Sequence, residues 1–420
     1  MLHLATLHEP QTYRETSTNP LWQIVMKEEL DALTKNHNWD LVTLPPGQSV
    51  VSCKWIYKIK THSDGSIEHY KARLVVKGFT QKYGIDYEET FAPVARVSSV
   101  RALLVVAAAS KWNLFQIDVK NAFLNGDLSE EVYMQSPLGL SVDSNKVCHL
   151  RCALYGLKQA PRAWFAKFSS TIFRLGYTAS PYDFALFLRY IDKGTILLLL
   201  YVDDMIITGD DLSSIQELKD FLNQQFEMKD LRHLSYFLGL EIIHSTDGLY
   251  ITQAKYASDL LCRAGLTDSK TVNTPVELNT HLTPSGGKPL SNPSLYRWLV
   301  GNLVYLTVTR SDISYVVHQV SQYLSAPQST HYAVVLRILW YLKGTLFHGL
   351  FYSTQSPLVL RVFSDVDWAG NPTNRKSTTG YYFLLGSSLI SWRSKKQTFV
   401  ARSSTEAKYR ALVDTTYELF

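Results

Sequence analysis

Two adjacent aspartates, Asp203 and Asp204, lie in the middle of an otherwise hydrophobic stretch, residues 195–209 (TILLLLYVDDMIITG). Burying an ionised aspartate costs roughly several kcal/mol unless a partner neutralises its charge. The stretch is bounded by glycines and is long enough for two buried strands joined by a turn at Val202 and Asp203. We expect this turn to project the acids from a hairpin tip, where carboxylate oxygens could bind a hard cation. An ordinary turn between two strands is the alternative.

A second aspartate, Asp118, ends a strand-like segment, residues 114–119 (LFQIDV). Residues 121–126 (NAFLNG) follow it and predict a tight helical turn that stops at Gly126. Two strand ends that carry aspartates side by side form a site for a divalent cation. The residues therefore predict a metal site built by Asp118 and Asp203.

Further sequence blocks accompany these acids in a fixed order. They are residues 39–42 (WDLV), 70–75 (YKARLV), 154–164 (LYGLKQAPRAW), 236–239 (YFLG), 309–313 (TRSDI) and 391–397 (SWRSKKQ). Together the blocks resemble the Pol polyprotein of copia-type LTR retrotransposons nearly from end to end. The resemblance implies an RNA-directed DNA polymerase of the α+β class. It would be a right hand of fingers, palm and thumb, followed by a partial RNase H-like α/β unit.

The resemblance also implies nucleotidyl transfer with two Mg²⁺ ions, bound by Asp118 and Asp203. Asp204 is the third catalytic acid, with a lesser role, because consecutive residues of an extended chain point to opposite faces. The expected dNTP-binding residues are Arg73, Lys60, Phe123, Tyr155 and Gly156. Lys229 is a further candidate, as an acid that protonates pyrophosphate. The expected partners are dNTPs and a template-primer duplex of RNA or DNA.

Two of these residues have plain structural alternatives. Phe123 lies five residues after Asp118, where the resemblance places a ring that excludes a ribose 2′-hydroxyl, but it could equally be a core residue in a turn. Gly156 would let the backbone approach a ligand closely, or it could serve an ordinary turn.

Positive charge is concentrated between residues 54 and 82, which contain seven Lys and Arg residues and two acids. The surplus of five equals the net charge of the whole chain, +5. In the family this segment looks like the fingers, whose basic residues reach the triphosphate. A phosphate-contacting surface and a solvated hairpin face are both compatible with the pattern.

The composition is that of a folded protein, since 46% of the 420 residues are hydrophobic and 12% are aromatic. The length allows two or three domains. No apolar run approaches the roughly 18 to 20 residues of a membrane span, and the N-terminus lacks a signal-peptide pattern. We expect an intracellular protein without a membrane partner, and the sequence does not fix its oligomeric state. The four scattered cysteines favour reduced, structural thiols.

Periodicity predicts helices at 19–33, 97–110, 160–175, 213–226, 296–323 and 331–342, and strands at 50–59 and 73–79 joined across a turn at 63–66. Residues 271–293 contain four prolines and two adjacent glycines, which is typical of a linker. We therefore expect fingers and palm in 19–270, a linker with thumb or connection helices in 271–352, and an RNase H-like unit in 358–420.

The C-terminal segment predicts strands at 358–364, 381–385 and 389–392, with Asp365 at the end of the first strand. A helix follows, opened by a capping box at Ser403 and Glu406. This order resembles the start of an RNase H fold, but Lys408 occupies the position of the family's catalytic glutamate. Glu406 cannot replace it, because residues two apart lie about 200° apart around a helix. We expect the unit to be point-damaged, truncated at Phe420 and inactive.

Two other functional classes stay open. The chain could be a catalytically decayed retroelement fragment that at most binds nucleic acid; Lys408 favours this class, and the intact Asp118, Asp203 and Asp204 oppose it. A DNA-templated polymerase or repair enzyme would share the palm chemistry, but the RNase H-like segment argues against it.

Overall fold

A computed structural model describes residues 8–61, 66–140, 142–143, 145–192, 194–266, 270–278 and 280–419. The helices are α1 (Tyr13–Thr16), α2 (Pro20–Lys35), α3 (Val97–Ser110), α4 (Ala160–Phe173), α5 (Leu212–Gln225), α6 (Ala254–Arg263), α7 (Pro293–Leu306), α8 (Ser314–Ser321), α9 (Ser329–Gly344) and α10 (Ser404–Leu419). The strands are β1 (Trp39–Thr43), β2 (Val50–Val51), β3 (Cys53–Thr61), β4 (Ile67–Val76), β5 (Asn113–Val119), β6 (Asp127–Met134), β7 (Lys146–Cys152), β8 (Thr178–Ala179), β9 (Leu186–Ile191), β10 (Gly194–Tyr201), β11 (Asp204–Gly209), β12 (Met228–His233), β13 (Tyr236–Phe237), β14 (Leu240–His244), β15 (Gly248–Thr252), β16 (Leu350–Ser353), β17 (Leu360–Val366), β18 (Thr378–Leu385) and β19 (Ser388–Lys396). This mixture of helices and sheets confirms the expected α+β class.

The chain forms two compact units. The first comprises the described residues of Met1–Ala95, Ile117–Ile207 and Asp211–Asp230, and the second comprises those of Arg96–Gln116, Thr208–Asp210 and Leu231–Phe420. Strands β5, β11 and β12 have residues in both units. This division follows compactness and not function, so the boundaries 19–270, 271–352 and 358–420 stay a prediction.

Helix α2 forms where the sequence predicts it, because Asn19 caps it and Pro20 occupies its first turn. The side chain of Asn19 accepts a hydrogen bond from the Leu21 backbone N–H at 3.0 Å. The inward face of the helix carries the four buried residues Trp22, Met26, Leu30 and Leu33. The Trp22 ring meets those of Tyr57 and Tyr70 edge-on, with centroids 5.2 and 4.8 Å apart, so α2 packs against the hairpin of β3 and β4.

The expected basic hairpin is present, with bounds that differ from the prediction. Strands β3 and β4 pair antiparallel, and Lys58 lies opposite Lys71. The prediction of one strand over 50–59 was wrong, because the chain breaks at Ser52 and β2 pairs in parallel with β6. Strand β4 starts earlier than residue 73 and ends before a 3-10 helix at Gly78–Thr80. The predicted turn at 63–66 lies outside the described residues, except for Ser66.

The remaining strands of the first unit form two sheets. One has the order β1-β7-β6-β2, and the other has the order β12-β5-β11-β10-β9-β8. The second sheet places β5, which carries Asp118, directly beside β11, which starts at Asp204. Strands β10 and β11 are buried almost throughout, which confirms the prediction of two buried strands in the 195–209 stretch.

In the second unit, a helical core is built by α6, α7, α8 and α9. The expectation of one helical stretch over 296–323 was wrong, because the chain leaves the helix after Leu306 and restarts at Ser314. Arg310 explains the break. Its buried guanidinium binds Asp312 at 2.7 Å and the carbonyl and hydroxyl oxygens of Thr345 at 2.9 and 2.7 Å, so it ties the bend to the end of α9.

The proline-rich segment 271–293 has almost no regular structure among its described residues, but it is not a free linker. The Ser329 N–H donates to the Lys288 carbonyl at 2.8 Å, and Arg337 binds Glu277 at 2.7 Å. The segment is therefore fixed against α9. Composition predicted its lack of helix and strand, whereas its tertiary contacts come from residues far along the sequence.

The C-terminal part of the second unit is a three-stranded antiparallel sheet of order β17-β18-β19, followed by α10. The predicted strands and helix are present. Ser403 caps α10 as predicted, since its hydroxyl accepts from the Glu406 N–H at 3.1 Å. The Glu406 carboxylate accepts from the N–H of Arg402, not of Ser403, so the reciprocal half of the capping box is shifted by one residue.

Within the described ranges, no helix is both long and apolar enough to cross a membrane. All four cysteines are free thiols. Burial raises the pKa of Cys53 to about 11 and that of Cys148 to about 12. Thiols with such pKa values are unreactive, which agrees with the expected structural role.

Candidate active site

The turn between β10 and β11 holds Asp203 at the tip of the buried hairpin. Val202 has a φ of 57°, a left-handed conformation that a β-branched residue rarely adopts. Two hydrogen bonds hold this turn: the Trp164 indole N–H donates to the Val202 carbonyl at 2.6 Å, and the Val119 N–H donates to the Asp203 carbonyl at 2.9 Å. The second bond fixes Asp203 to the end of β5, one residue after Asp118. The backbone therefore brings the two predicted acids together.

The two carboxyl groups are close enough for the charge of one to act on the other. Burial raises the pKa of Asp118, and the charge of Asp203 raises it further. Lys229, Lys71 and Arg73 lower the pKa of Asp118 by smaller amounts. Without a cation, the fold thus holds two acids that repel one another and that the surrounding basic residues only partly compensate.

The basic residues of this site come from β4. Lys71 and Arg73 alternate with the buried Ala72 and Leu74, so both cationic side chains leave the same face of the strand. Burial lowers the pKa of Lys71, and repulsion from Arg73 and then from Lys60 lowers it further. A hairpin face that brings cations this close together is suited to a polyanion.

A cleft of about 360 Å³ joins these groups. Its lining residues include Glu28 and Glu29 of α2, Lys71 and Arg73 of β4, Asp118 of β5, Lys120, Asn121, and Asp203 of the turn. Asn121 has a φ of 52° and directs the chain from β5 into the 3-10 helix Ala122–Asn125. The cleft is therefore a polar pocket that brings acids from β5, from the β10–β11 turn and from α2 close to the cations of the β3–β4 hairpin.

Beside the cleft, the side chains of Arg73, Tyr155 and Phe123 contact one another in a row. The Arg73 guanidinium carbon lies 4.4 Å from the centroid of the Tyr155 ring, and the Tyr155 and Phe123 rings meet edge-on at 5.3 Å. Gly156 has a φ of 92°, and a Cβ there would lie 2.1 Å from the Val76 carbonyl oxygen. The backbone at Gly156 thus lies directly against β4. This contact holds the adjacent Tyr155 ring beside Arg73.

Other predicted residues lie outside the lining of this cleft. Lys60 is exposed further along β3, where it lies opposite His69. Asp204 is half-buried at the start of β11. Asp365 and Lys408 belong to the second unit, where Asp365 is exposed on β17 and Lys408 is exposed on α10.

The sequence did not single out Glu29 or Lys71 as site residues. Lys71 lies in the block of residues 70–75, two residues before Arg73. Since alternate residues of a strand share a face, this spacing could have identified Lys71 together with Arg73. Glu29 lies three residues after Met26 on the inward face of α2, and an acid at such a position is itself a signal. Its meeting with β4 is a tertiary contact, which helical periodicity does not reveal.

The amino-acid sequence has relatives among known proteins. The sequence profile of a family described as "Reverse transcriptase (RNA-dependent DNA polymerase)" matches residues 36–278, which is more than half of the chain. The chain belongs to this reverse transcriptase family.

Individual relatives define its position in the family. The chain is 44% identical over 420 residues to the retrovirus-related Pol polyprotein from transposon RE2 of Arabidopsis thaliana, an alignment that covers 99% of the chain and 29% of the relative. It is 41% identical over 426 residues to the corresponding polyprotein from transposon TNT 1-94 of Nicotiana tabacum, covering 98% and 32%. These relatives are copia-type retrotransposon proteins, which confirms the resemblance found in the sequence. The chain contains the reverse transcriptase domain of a copia-type Pol polyprotein. It spans less than a third of the length of either relative.

Among solved structures, the chain is similar to a foamy viral protease-reverse transcriptase, determined in complex with double-stranded DNA. The identity is 13% and the TM-score is 0.48, over 94% of this chain and 60% of that one. A similarity this low carries no argument for the fold.

Proposed function

We propose that this chain is an RNA-directed DNA polymerase that transfers nucleotides from dNTPs to the 3′-hydroxyl of a primer. The observation that carries the proposal is the single cleft that is lined by Asp118 and Asp203 together with Lys71 and Arg73. In the reaction, the primer 3′-oxygen bonds to the α-phosphorus while the bond from that phosphorus to the β-phosphate oxygen breaks, so pyrophosphate leaves and the hydroxyl proton passes to water. The reaction needs carboxylates for cations and basic residues for the triphosphate.

The residues of the cleft fit Mg²⁺. Within the described parts of the chain, no group of three or more His, Cys, Asp or Glu residues could form a complete metal cage. Mg²⁺ is usually bound by one or two carboxylates, together with water and substrate phosphates. Asp118 and Asp203 supply that number, and their mutual repulsion is what a bound cation would relieve. Two bound Mg²⁺ ions would supply Lewis acidity to the attacking and leaving oxygens.

The chain's own groups then have distinct roles. Asp118 and Asp203 would hold the cations at the strand ends, while Arg73 and Lys71, and less directly Lys60, attract the triphosphate. Stacking on Tyr155 restricts the Arg73 side chain, so its N–H donors need little reordering to meet phosphate oxygens.

Four further assignments complete the proposed site. Phe123 acts as a steric gate against a 2′-hydroxyl, and its edge-on contact with Tyr155 supports a fixed ring position. Gly156 keeps the Tyr155 loop close to β4. Asp204 adds negative charge beside the two metal-binding acids. Lys229 is close enough to lower the pKa of Asp118, and this position agrees with a role near the leaving pyrophosphate.

The C-terminal unit is proposed to lack RNase H activity. Lys408 places a cation where the family's pattern has an acid. Glu406 is already engaged, since its carboxylate accepts from the Arg402 N–H at 2.8 Å and from Arg410 at 2.8 Å. The proposed assignment is fingers and palm in 19–270, thumb or connection helices in 271–352, and an inactive RNase H-like unit in 358–420.

The proposal is tested by primer extension with dTTP and Mg²⁺ on poly(rA)·oligo(dT) and poly(dA)·oligo(dT). We expect extension on the RNA template. Extension confined to the DNA template would favour a DNA-templated polymerase. Duplex binding without extension on either template would favour a decayed fragment.

A further inference from the structure

Glu29 is an acid on the inward face of α2. It shares that face with the buried Met26 and Leu33, because residues three and four apart lie together on a helix. The side chain is half-buried, and burial raises its pKa. A buried carboxylate is unfavourable unless its partners stabilise the ionised form.

The partners of Glu29 belong to β4. The Leu74 backbone N–H donates to Glu29 Oε1 at 3.3 Å, and the charges of Arg73 and Lys71 favour the ionised carboxylate. Among the residues that the structure describes, β4 pairs with β3 in a two-stranded sheet, and no further strand lies beside its outer edge at Leu74. Glu29 satisfies the N–H of Leu74 and joins α2 to the outer edge of β4.

The position of this bond links it to the cleft. Leu74 directly follows Arg73, and Glu29 lines the same pocket as Lys71, Arg73, Asp118 and Asp203. Arg73 Nε has no hydrogen-bond partner among the described residues. Glu29 accepts from the backbone N–H of the residue next to Arg73, so this hydrogen bond does not occupy the Arg73 guanidinium.

We propose that Glu29 is a positioning residue of the nucleotide site, which fixes the edge of β4, and with it Lys71 and Arg73, through the hydrogen bond from Leu74. The role rests on the proposed polymerase function, since Lys71 and Arg73 receive the triphosphate in that account. It requires an oxygen acceptor at residue 29 and does not require the negative charge, which by itself repels an anionic nucleotide.

Two substitutions separate the acceptor from the charge. Glu29→Gln keeps a carbonyl oxygen for the Leu74 N–H, whereas Glu29→Ala removes the acceptor. We expect Glu29→Ala to raise the KM for dTTP about three- to tenfold, the range produced by losing one hydrogen bond, with kcat nearly unchanged. Glu29→Gln should keep the KM at or below the wild-type value. Asp31→Asn, an exposed acid on the same helix, is the matched control for loss of charge.

Hydrogen exchange gives a readout that does not depend on catalysis. Glu29→Ala should accelerate amide exchange at Leu74 and its neighbours, whereas Glu29→Gln and Asp31→Asn should leave that exchange as in the wild type. Unchanged exchange in Glu29→Ala would overturn the proposal. So would a KM in Glu29→Gln that rises as far as in Glu29→Ala, because the charge would then be the relevant feature. If Glu29→Ala does not fold, accelerated exchange in the folded Glu29→Gln protein still overturns the proposal. A wild-type chain without polymerase activity would refute the proposed function. The exchange data would still test whether Glu29 fixes the edge of β4.

Discussion

Replacing Asp118 by asparagine should stabilise the metal-free protein while it lowers the rate of catalysis by orders of magnitude. The pKa of Asp118 is raised by burial and by Asp203, so the folded protein holds this proton to a higher pH than the unfolded chain, whose reference value is 3.8. Stability from this group is therefore present below pH 3.8 and is lost as the pH rises through the folded pKa. At neutral pH the ionised carboxylate opposes folding. Asparagine keeps the shape of the side chain and removes that charge.

The size of the effect follows from the half-buried position of Asp118. Relief of one repulsive contact in such a place is worth ~0.5 to 1 kcal/mol, which corresponds to a rise in Tm of ~0.5 to 1 °C for a chain of this size. Mg²⁺ reverses the order, because ligand at ten times its Kd stabilises the native state by ~1.4 kcal/mol. Asp118→Asn lacks a ligand for the cation and gains little, so the wild-type protein melts higher in Mg²⁺.

The assay is thermal unfolding at pH 7.5 in EDTA and in Mg²⁺, and again at pH 5. Asp118→Asn should melt above the wild type in EDTA, by a margin that shrinks at pH 5, and below it in Mg²⁺. Asp143→Asn, an exposed acid outside the cleft, is the control and should behave as wild type in both solutions. Equal stabilisation of Asp118→Asn and the wild type by Mg²⁺ would refute the assignment of Asp118 as a metal ligand.

Three further outcomes are expected. Phe123→Val should admit ribonucleotides, with a loss of discrimination against them of ~2 to 4 kcal/mol. The measurement is the ratio of kcat/KM for dTTP to that for UTP. An unchanged ratio in an active variant would show that Phe123 does not exclude the 2′-hydroxyl. Gly156→Ala should lower Tm by several degrees, because a Cβ would lie 2.1 Å from the Val76 carbonyl oxygen and the φ is 92°; a wild-type Tm would show that this loop can move away from β4. The C-terminal unit should leave a labelled RNA·DNA hybrid intact with Mg²⁺ or Mn²⁺. The Lys408 ammonium would repel each unit charge of a metal ion about 4 Å away by ~4 kcal/mol at an effective dielectric near 20. Cleavage that disappears in Asp365→Asn would show that Lys408 does not disable this unit.

Much of the cleft around Asp118 and Asp203 could be predicted from short-range patterns. The hydrophobic run around Asp203 and the strand that ends at Asp118 each carry an acid where a buried strand stops, and the structure places both acids at one cleft. Such features depend on alternation and on the cost of burying charge. Both are properties of a few consecutive residues.

Other features depend on contacts between distant segments, which local patterns do not specify. The break after Leu306 is fixed by the bond from Arg310 to Thr345, and the segment 271–293 is fixed by contacts such as that of Lys288 with Ser329. Glu29 meets β4 from a separate helix. In each case the local sequence was compatible with several structures, and a partner about 35 or more residues away selected one.

The most direct test of the central claim, that Asp118 and Asp203 act together as the metal-binding pair of a polymerase, is a double-mutant cycle of primer extension on poly(rA)·oligo(dT). Each of Asp118→Asn and Asp203→Asn should lower kcat by ~10³, equivalent to ~4 kcal/mol of lost transition-state stabilisation. Because groups that act as a unit are not additive, the double variant should be little worse than either single variant. Wild-type extension by Asp203→Asn, or a double variant slower by the product of the two single effects, would contradict the account.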